Sequence, residues 1–219
     1  MALAERPTLR EHRGVVSSLD EARRRLAAHR PRALPIEGAL KKAAVAAIFR
    51  ERSTPGTLEL LFIRRAERAG DPWSGHMAFP GGRVDPGDQG ALAAARRETR
   101  EEVGLDLDAV GELFGELSHQ PAMAHGRPLP MVVVPYAFGL STGAEPTPDA
   151  REVQEALWVP LDFFAAPGNR GVLERPVAGL PMRLPCYRYE GRVIWGLTLK
   201  MLDELLAVLG PRPGSASGP

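Results

Sequence analysis

The sequence predicts an α+β fold in which helices cover a mixed β-sheet. Segments with strand character outnumber helical ones, a single helix is embedded in mid-chain, and another closes the chain. That order does not alternate strand and helix as a doubly wound sheet requires. The 219 residues are enough for one sizeable core. They divide into a helix and linker over 1–39, a main domain over 40–209 and a polar tail over 210–219 that reads as disordered.

The first helix is predicted near 18–29, because Ser18 and Glu21 have the spacing of a capping box and Leu19, Ala22, Leu26 and Ala27 recur at helical intervals. Pro31 and Pro35 end it. Two apolar runs, Ala43–Phe49 and Leu58–Arg65, flank a Pro-Gly turn signal and read as paired strands. Residues 66–76 read as a loop and Met77–Phe79 as a short strand running into a Gly81-Gly82 turn, followed by a helix over 90–102. Further strands are expected at 111–119 and 131–140, joined by a polar loop, and at 153–159, with a helical turn at 160–165. CYRYEGRVIWG reads as a hairpin around Glu190-Gly191, and Leu197–Leu209 as an amphipathic helix.

With 44% hydrophobic and 25% charged residues the composition is that of a globular protein. No apolar run approaches the roughly 18 residues of a membrane span, and the charged N-terminus lacks the apolar core of a secretory signal. The net charge of +1 is spread over mixed signs, which argues against a nucleic-acid binder. A lone cysteine, Cys186, suits a reducing cytoplasm and reads as a structural thiol.

The chemistry concentrates in GGRVDPGDQGALAAARRETREEVGL, residues 81–105. On a helix, Glu98, Glu101 and Glu102 fall within an arc of roughly 100°. Leu92, Thr99 and Val103 lie on another side, and Ala91 and Ala94, beside the glutamates, would leave the acidic face open. Like charges so close repel, and a hard divalent cation with oxygen ligands, Mg²⁺ or Mn²⁺, removes the conflict while also binding phosphates. The glycines before the helix let backbone groups approach the same ion or phosphate. On the glutamates alone, a solvated face paired with Arg97 and Arg100 is the preferred reading.

The full pattern is more specific. RETREEVGL, residues 97–105, together with the upstream Gly82, resembles the Nudix box, and by it the chain is identified as a member of the Nudix hydrolase family. The resemblance implies an α/β/α sandwich over about residues 40–209 and hydrolysis of a nucleoside diphosphate linked to another moiety. There are departures: Asp88 stands where the box has a glutamate, one extra residue precedes Arg97, and Thr99 takes an apolar position. This longer form, with FPGG at 79–82, resembles the coenzyme A diphosphatase branch. That branch's upstream signature is kept at Leu60-Leu61, Arg64-Arg65, Gly75 and FPGG, while Asp71 replaces an arginine.

Carried over residue by residue, the resemblance makes Glu98, Glu101 and Glu102 metal ligands, with Glu98 a candidate to activate water, and gives the Gly81 carbonyl to a metal. Gly82 belongs to the cofactor and substrate cradle, and Arg97 orients the glutamates. Some family members use a later glutamate, for which Glu152 and Glu155 are candidates; exposed strand-edge residues are the equal alternative. Arg64, Arg65 and Arg68 could bind substrate phosphates or form surface ion pairs. Trp73, Phe79, Trp158 and Trp195 could stack on a base, although aromatics are more often core. The expected partner is a nucleotide diphosphate small molecule, coenzyme A or an acyl-coenzyme A first, with nucleoside triphosphates or nucleotide sugars as the alternative. A non-catalytic nucleotide sensor is the alternative of another class. The N-terminal helix could cover the sheet or form a homodimer contact.

Overall fold

The computed structural model describes residues 15–35, 41–52, 56–124, 126–141, 143–177 and 180–210. The expected boundary at 39/40, the centre of the turn at 51–57 and nearly all of the expected tail lie outside the described residues. Helix α1 (Leu19–Ala28) is followed by strands β1 (Lys41–Glu51), β2 (Leu58–Arg65), β3 (Met77–Ala78) and β4 (Gly81–Arg83). Helices α2 (Ala91–Val103) and α3 (Leu107–Val110) lead to β5 (Gly111–Glu116), β6 (Gln120–Ala124), β7 (Arg127–Leu140) and β8 (Val153–Pro160). Helix α4 (Leu161–Ala165) and a 3-10 turn precede β9 (Arg170–Val177), β10 (Leu180–Tyr189), β11 (Arg192–Trp195) and α5 (Gly196–Leu209).

The mixed sheet runs β3-β2-β1-β7-β5, with β4 against β1, β6 against β7 and β8 against β2. Its parallel pair is β1 with β7, in register from Lys41 with Met131 to Phe49 with Gly139. Both faces of β1 are buried, so its sequence is an almost unbroken apolar run rather than an alternation. Ala44, Ala46 and Ile48 face a core shared with α2, whereas Ala43, Ala47 and Phe49 face one shared with α1 and α5. The sheet is thus sandwiched between helices, as expected.

The Ser18 hydroxyl accepts the Glu21 N–H across 3.3 Å, as the capping box predicts. Helix α1 covers the sheet: Ala22 and Leu26 are buried, Val16 N–H donates to the Leu209 carbonyl, and Arg25 donates to the Leu209 and Gly210 carbonyls.

Four local readings change. Gly81-Gly82 is not a turn but part of β4, lying flat against β1 with Gly82 opposite Ala44. A Cβ at Gly81 would come within 2.2 Å of the Ala44 carbonyl oxygen, so the strand can lie this close only without one. The expected loop at 120–130 is largely β6 and the start of β7, and the extra elements α3 and β9 are present. Ala94 does not border an open acidic face; it is fully buried against the sheet.

Candidate active site

Helix α2 ends at Gly104, whose φ of 69° is the left-handed cap that glycine adopts without strain. Its last turn carries Glu101 and Glu102, where the helix dipole already concentrates partial negative charge. The conflict expected from the sequence is therefore real, and the three glutamates meet it differently. Glu101 is half exposed, the Glu98 side chain is 16% exposed, and Glu102 is buried at 2%.

Glu102 accepts the Gly81 N–H at 2.8 Å, and an Arg65 guanidinium nitrogen stands 3.7 Å from its other oxygen. Burial nevertheless pushes its carboxyl up to about 7, with Glu98 and Glu152 adding to the rise against the Gly81 and Arg65 contributions. Glu98 is also raised, by burial first, although Arg97 lowers it. Ala46 N–H donates to the Pro80 carbonyl and Val84 N–H to that of Lys42, so alternation along the ladder turns Gly81's N–H and carbonyl away from β1, toward α2.

Arg97 is the hub on the other side. It donates to Asp88 through Nε and NH2, to Glu98 at 3.0 Å, to Glu101 at 2.9 Å and to the Arg83 carbonyl, and it lies 3.6 Å from Asp85. Its proton is held more tightly than usual, chiefly by the Asp88 hydrogen bonds, and the same bonds lower Asp88. Asp88 thus fills the departed glutamate position by gripping Arg97. The other departure has an equally local reason: buried Thr99 satisfies its hydroxyl by donating to the Ala95 carbonyl one turn back at 2.7 Å.

The loop after β7 brings Glu152 in. Asp149 N–H donates to the Glu102 carbonyl, Glu152 N–H to the Asp149 carbonyl, and Ala66 N–H to the Glu152 carbonyl. Glu152 lies near enough to raise both Glu98 and Glu102, with Arg68 3.6 Å from its carboxylate. Glu155 is not gathered in: on β8 it accepts two hydrogen bonds from Arg192, which lower its carboxyl. Arg65 is held between Asp71 and Glu102, while Arg64 is 42% exposed with Glu67 3.9 Å away. Among the aromatic candidates Phe79 is core, Trp158 lies under Arg50, and Trp73 packs against the core beside β6.

Among the described residues no three acidic, histidine or cysteine side chains converge on one point as metal ligands. Glu98 and Glu101 close instead on Arg97, which supplies the countercharge a cation would. The donor set still fits a hard divalent ion: it is all oxygen, it includes a buried carboxylate held above its ordinary range, and a Cβ at Gly82 would stand 2.4 Å from the Glu98 carboxyl carbon, in space that glycine keeps open.

Comparison with known proteins agrees. Residues 40–176 match the NUDIX domain. The chain is 32% identical over 167 residues to the mitochondrial coenzyme A diphosphatase NUDT8 of Homo sapiens, covering 73% of this chain and 66% of that protein. It is 30% identical over 156 residues to the peroxisomal coenzyme A diphosphatase NUDT7 of Mus musculus, covering 67% of this chain and 61% of that one. It therefore spans less than two thirds of either named diphosphatase. With the uncharacterized Nudix hydrolase NudL of Citrobacter koseri it shares 30% identity over 79% of this chain and 85% of that one. A MutT/nudix family protein from Enterococcus faecalis shares the fold, with a TM-score of 0.51 over 87% of this chain and 68% of that one at 16% identity. Motif, fold and relatives agree: the chain belongs to the Nudix hydrolase family.

Proposed function

We propose that the protein hydrolyses the diphosphate bond of coenzyme A or its acyl derivatives, giving adenosine 3′,5′-bisphosphate and a phosphopantetheine product. The observation that carries the reading is the buried Glu102 at the end of α2, held by the Gly81 N–H and near enough to Glu98 and Glu152 for both to raise its carboxyl. A buried carboxylate raised to about 7 costs the fold stability, and a phosphate-binding cation is the partner that makes it useful. The relatives named as coenzyme A diphosphatases point to that substrate.

Glu98, Glu101, Glu102 and the Gly81 carbonyl would hold Mg²⁺ or Mn²⁺. Such ions, when bound, neutralise diphosphate charge and acidify water. In the hydrolysis, water oxygen bonds to one phosphorus, the bridging P–O bond breaks, and the water's proton goes to a carboxylate. Glu98 is the acceptor of choice, since its carboxyl is raised and lies directly against the backbone of Gly82, where no side chain intervenes. Arg97 orients Glu98 and Glu101 and does not touch substrate, Arg65 steadies Glu102, and exposed Arg64 is available to a phosphate. Buried, free Cys186 suits a cytoplasmic setting.

The test is to incubate the protein with Mg²⁺ or Mn²⁺ and coenzyme A, acyl-coenzyme A, nucleotide sugars and nucleoside triphosphates, and to weigh the products. Adenosine 3′,5′-bisphosphate from coenzyme A supports the reading; cleavage of another nucleotide alone refutes the substrate while keeping the reaction.

A further inference from the structure

Arg65 divides its two terminal nitrogens unequally between two carboxylates. Its Nη2 donates to Asp71 Oδ2 at 3.0 Å, whereas Nη1 stops 3.7 Å from Glu102 Oε1, beyond hydrogen-bond reach. Glu102 Oε2 already accepts the Gly81 N–H, so Oε1 is the more open oxygen of the buried carboxylate. A guanidinium beside such a group would ordinarily close on it, since a charge-assisted N–H···O bond is about 2.7–2.9 Å long.

Several contacts hold Arg65 back. Asp71 is itself fixed, for its other oxygen accepts the Trp73 N–H at 2.9 Å. The backbone of Arg65 is tied as well: its N–H donates to the His76 carbonyl, and the next N–H, of Ala66, to that of Glu152. The pairing of β2 with β8 shifts register between Arg64 and Arg65, an irregularity of the kind that re-aims a side chain next to a reaction centre. Arg65 Nε is buried and has no hydrogen-bond partner among the described residues, so the guanidinium grips only through its two ends, and Asp71 has one of them. A guanidinium bonded to Glu102 Oε1 and a divalent cation on the same oxygen exclude one another.

We infer that Asp71 is a positioning residue: by holding Arg65 short of Glu102 it keeps Glu102 Oε1 open to the divalent cation, and so sets the affinity of the metal site. The inference rests on the reading of Glu102 as a metal ligand given above. It also gives a role to the aspartate that stands where the coenzyme A diphosphatase resemblance has an arginine, since a second guanidinium there would leave Arg65 free to close.

The measurement is Mn²⁺ binding by calorimetry at pH 8 on the full chain, in the wild type, Asp71→Asn, Arg65→Gln and the double variant, with the Mn²⁺ concentration for half-maximal cleavage of coenzyme A followed alongside. Asparagine keeps an acceptor for the Trp73 N–H, and thermal melting checks that each variant folds; Asp71→Ser, which keeps an acceptor too, takes its place if it does not. Asp71→Asn should weaken Mn²⁺ binding by about tenfold, and the same change in the Arg65→Gln background should have almost no effect, because no guanidinium is left to close on Glu102. Equal losses in both backgrounds would mean that Asp71 acts only through its charge, and an unchanged affinity in Asp71→Asn that Arg65 does not compete; either result overturns the inference and leaves the coenzyme A reading standing. Mn²⁺ binding with the expected coupling but without cleavage of coenzyme A upholds the inference and refutes that substrate. A wild type that binds no Mn²⁺ overturns the inference together with metal ligation by Glu102.

Discussion

A Cβ placed on Gly82 would stand 2.4 Å from the carboxyl carbon of Glu98, so these two residues cannot both keep their positions if residue 82 has a side chain. The neighbouring glycine faces a different obstacle. A Cβ on Gly81 meets the Ala44 carbonyl oxygen at 2.2 Å and the Val45 Cα at 2.5 Å, and its φ of 144° is one that side-chain-bearing residues rarely adopt. Glu98 ends a flexible side chain and can swing away, whereas β1 cannot. Gly82→Ala should therefore melt within a few degrees of the wild type but lose activity by about 100-fold, and Gly81→Ala should lose about 3 kcal/mol or more of stability in urea titration.

Glu102 gives a pH signature to the metal-free fold. The free carboxyl titrates near 4.5 and the folded one near 7, so between those values the folded protein keeps a proton that the unfolded chain has released. Stability from this group is complete below the lower value and lost as pH rises through the upper one, a change of about 3 kcal/mol. Glu102→Gln, which keeps an acceptor for Gly81 N–H, should abolish turnover. In chelator it should raise the melting temperature at pH 8 by about 6–12 °C while matching the wild type at about pH 4. Equal melting at both values would mean that Glu102 is not strained by its burial.

Asp88 and Arg97 should behave as one unit. Asp88→Asn weakens the hold on Arg97 and Arg97→Lys removes the planar fork that reaches Asp88, Glu98 and Glu101 together. Each single change should lower kcat, Arg97→Lys by about 100-fold and Asp88→Asn by about tenfold, and the double variant should be no worse than Arg97→Lys. Additive losses in that cycle would separate the two roles.

The two later glutamates should part company. Glu152→Gln should lower kcat by about tenfold or more, because it shares the field of Glu98 and Glu102. Glu155→Gln breaks a two-pronged pair that ties β8 to β11, and should cost about 1 kcal/mol of stability with near-normal turnover. The reverse result would put Glu155, and not Glu152, beside the reaction centre.

The N-terminal helix should be indispensable to the fold. Leu26 is 2% exposed in the core shared with Leu205 and Leu209, so Leu26→Ala should cost about 3 kcal/mol in urea titration.

The mid-chain helix was legible because alanines fill it and glycines bound it, and RETREEVGL with the upstream Gly82, rather than the glutamates alone, named the family. What sequence alone did not yield was proximity. Gly81-Gly82 has the composition of a turn, and only the close approach to Ala44 explains why it is a strand. The prolines at 121, 128 and 130 disguise the β6–β7 hairpin, which accommodates them with an irregular register. Three glutamates on one arc look equivalent in a helical projection, yet Glu102 is buried and Glu101 is not, because the neighbouring loop and β4 close over one end of the arc. Glu152 and Glu155 could not be separated until Arg192, from the far hairpin, was seen to hold one of them.

The pairing of β1 with β7 also governs how the chain can be made. Lys41–Phe49 finds its parallel neighbour only after Met131–Gly139 has been synthesised, and Arg25 meets the Leu209 carbonyl 184 positions later. While the ribosome adds the intervening residues, an apolar β1 waits without its neighbour. Long-range pairing of this kind slows folding and leaves nascent segments open to aggregation. Because Leu205 and Leu209 of α5 share a core with Leu26, that part of the interior stays incomplete until α5 emerges, well after the Nudix box.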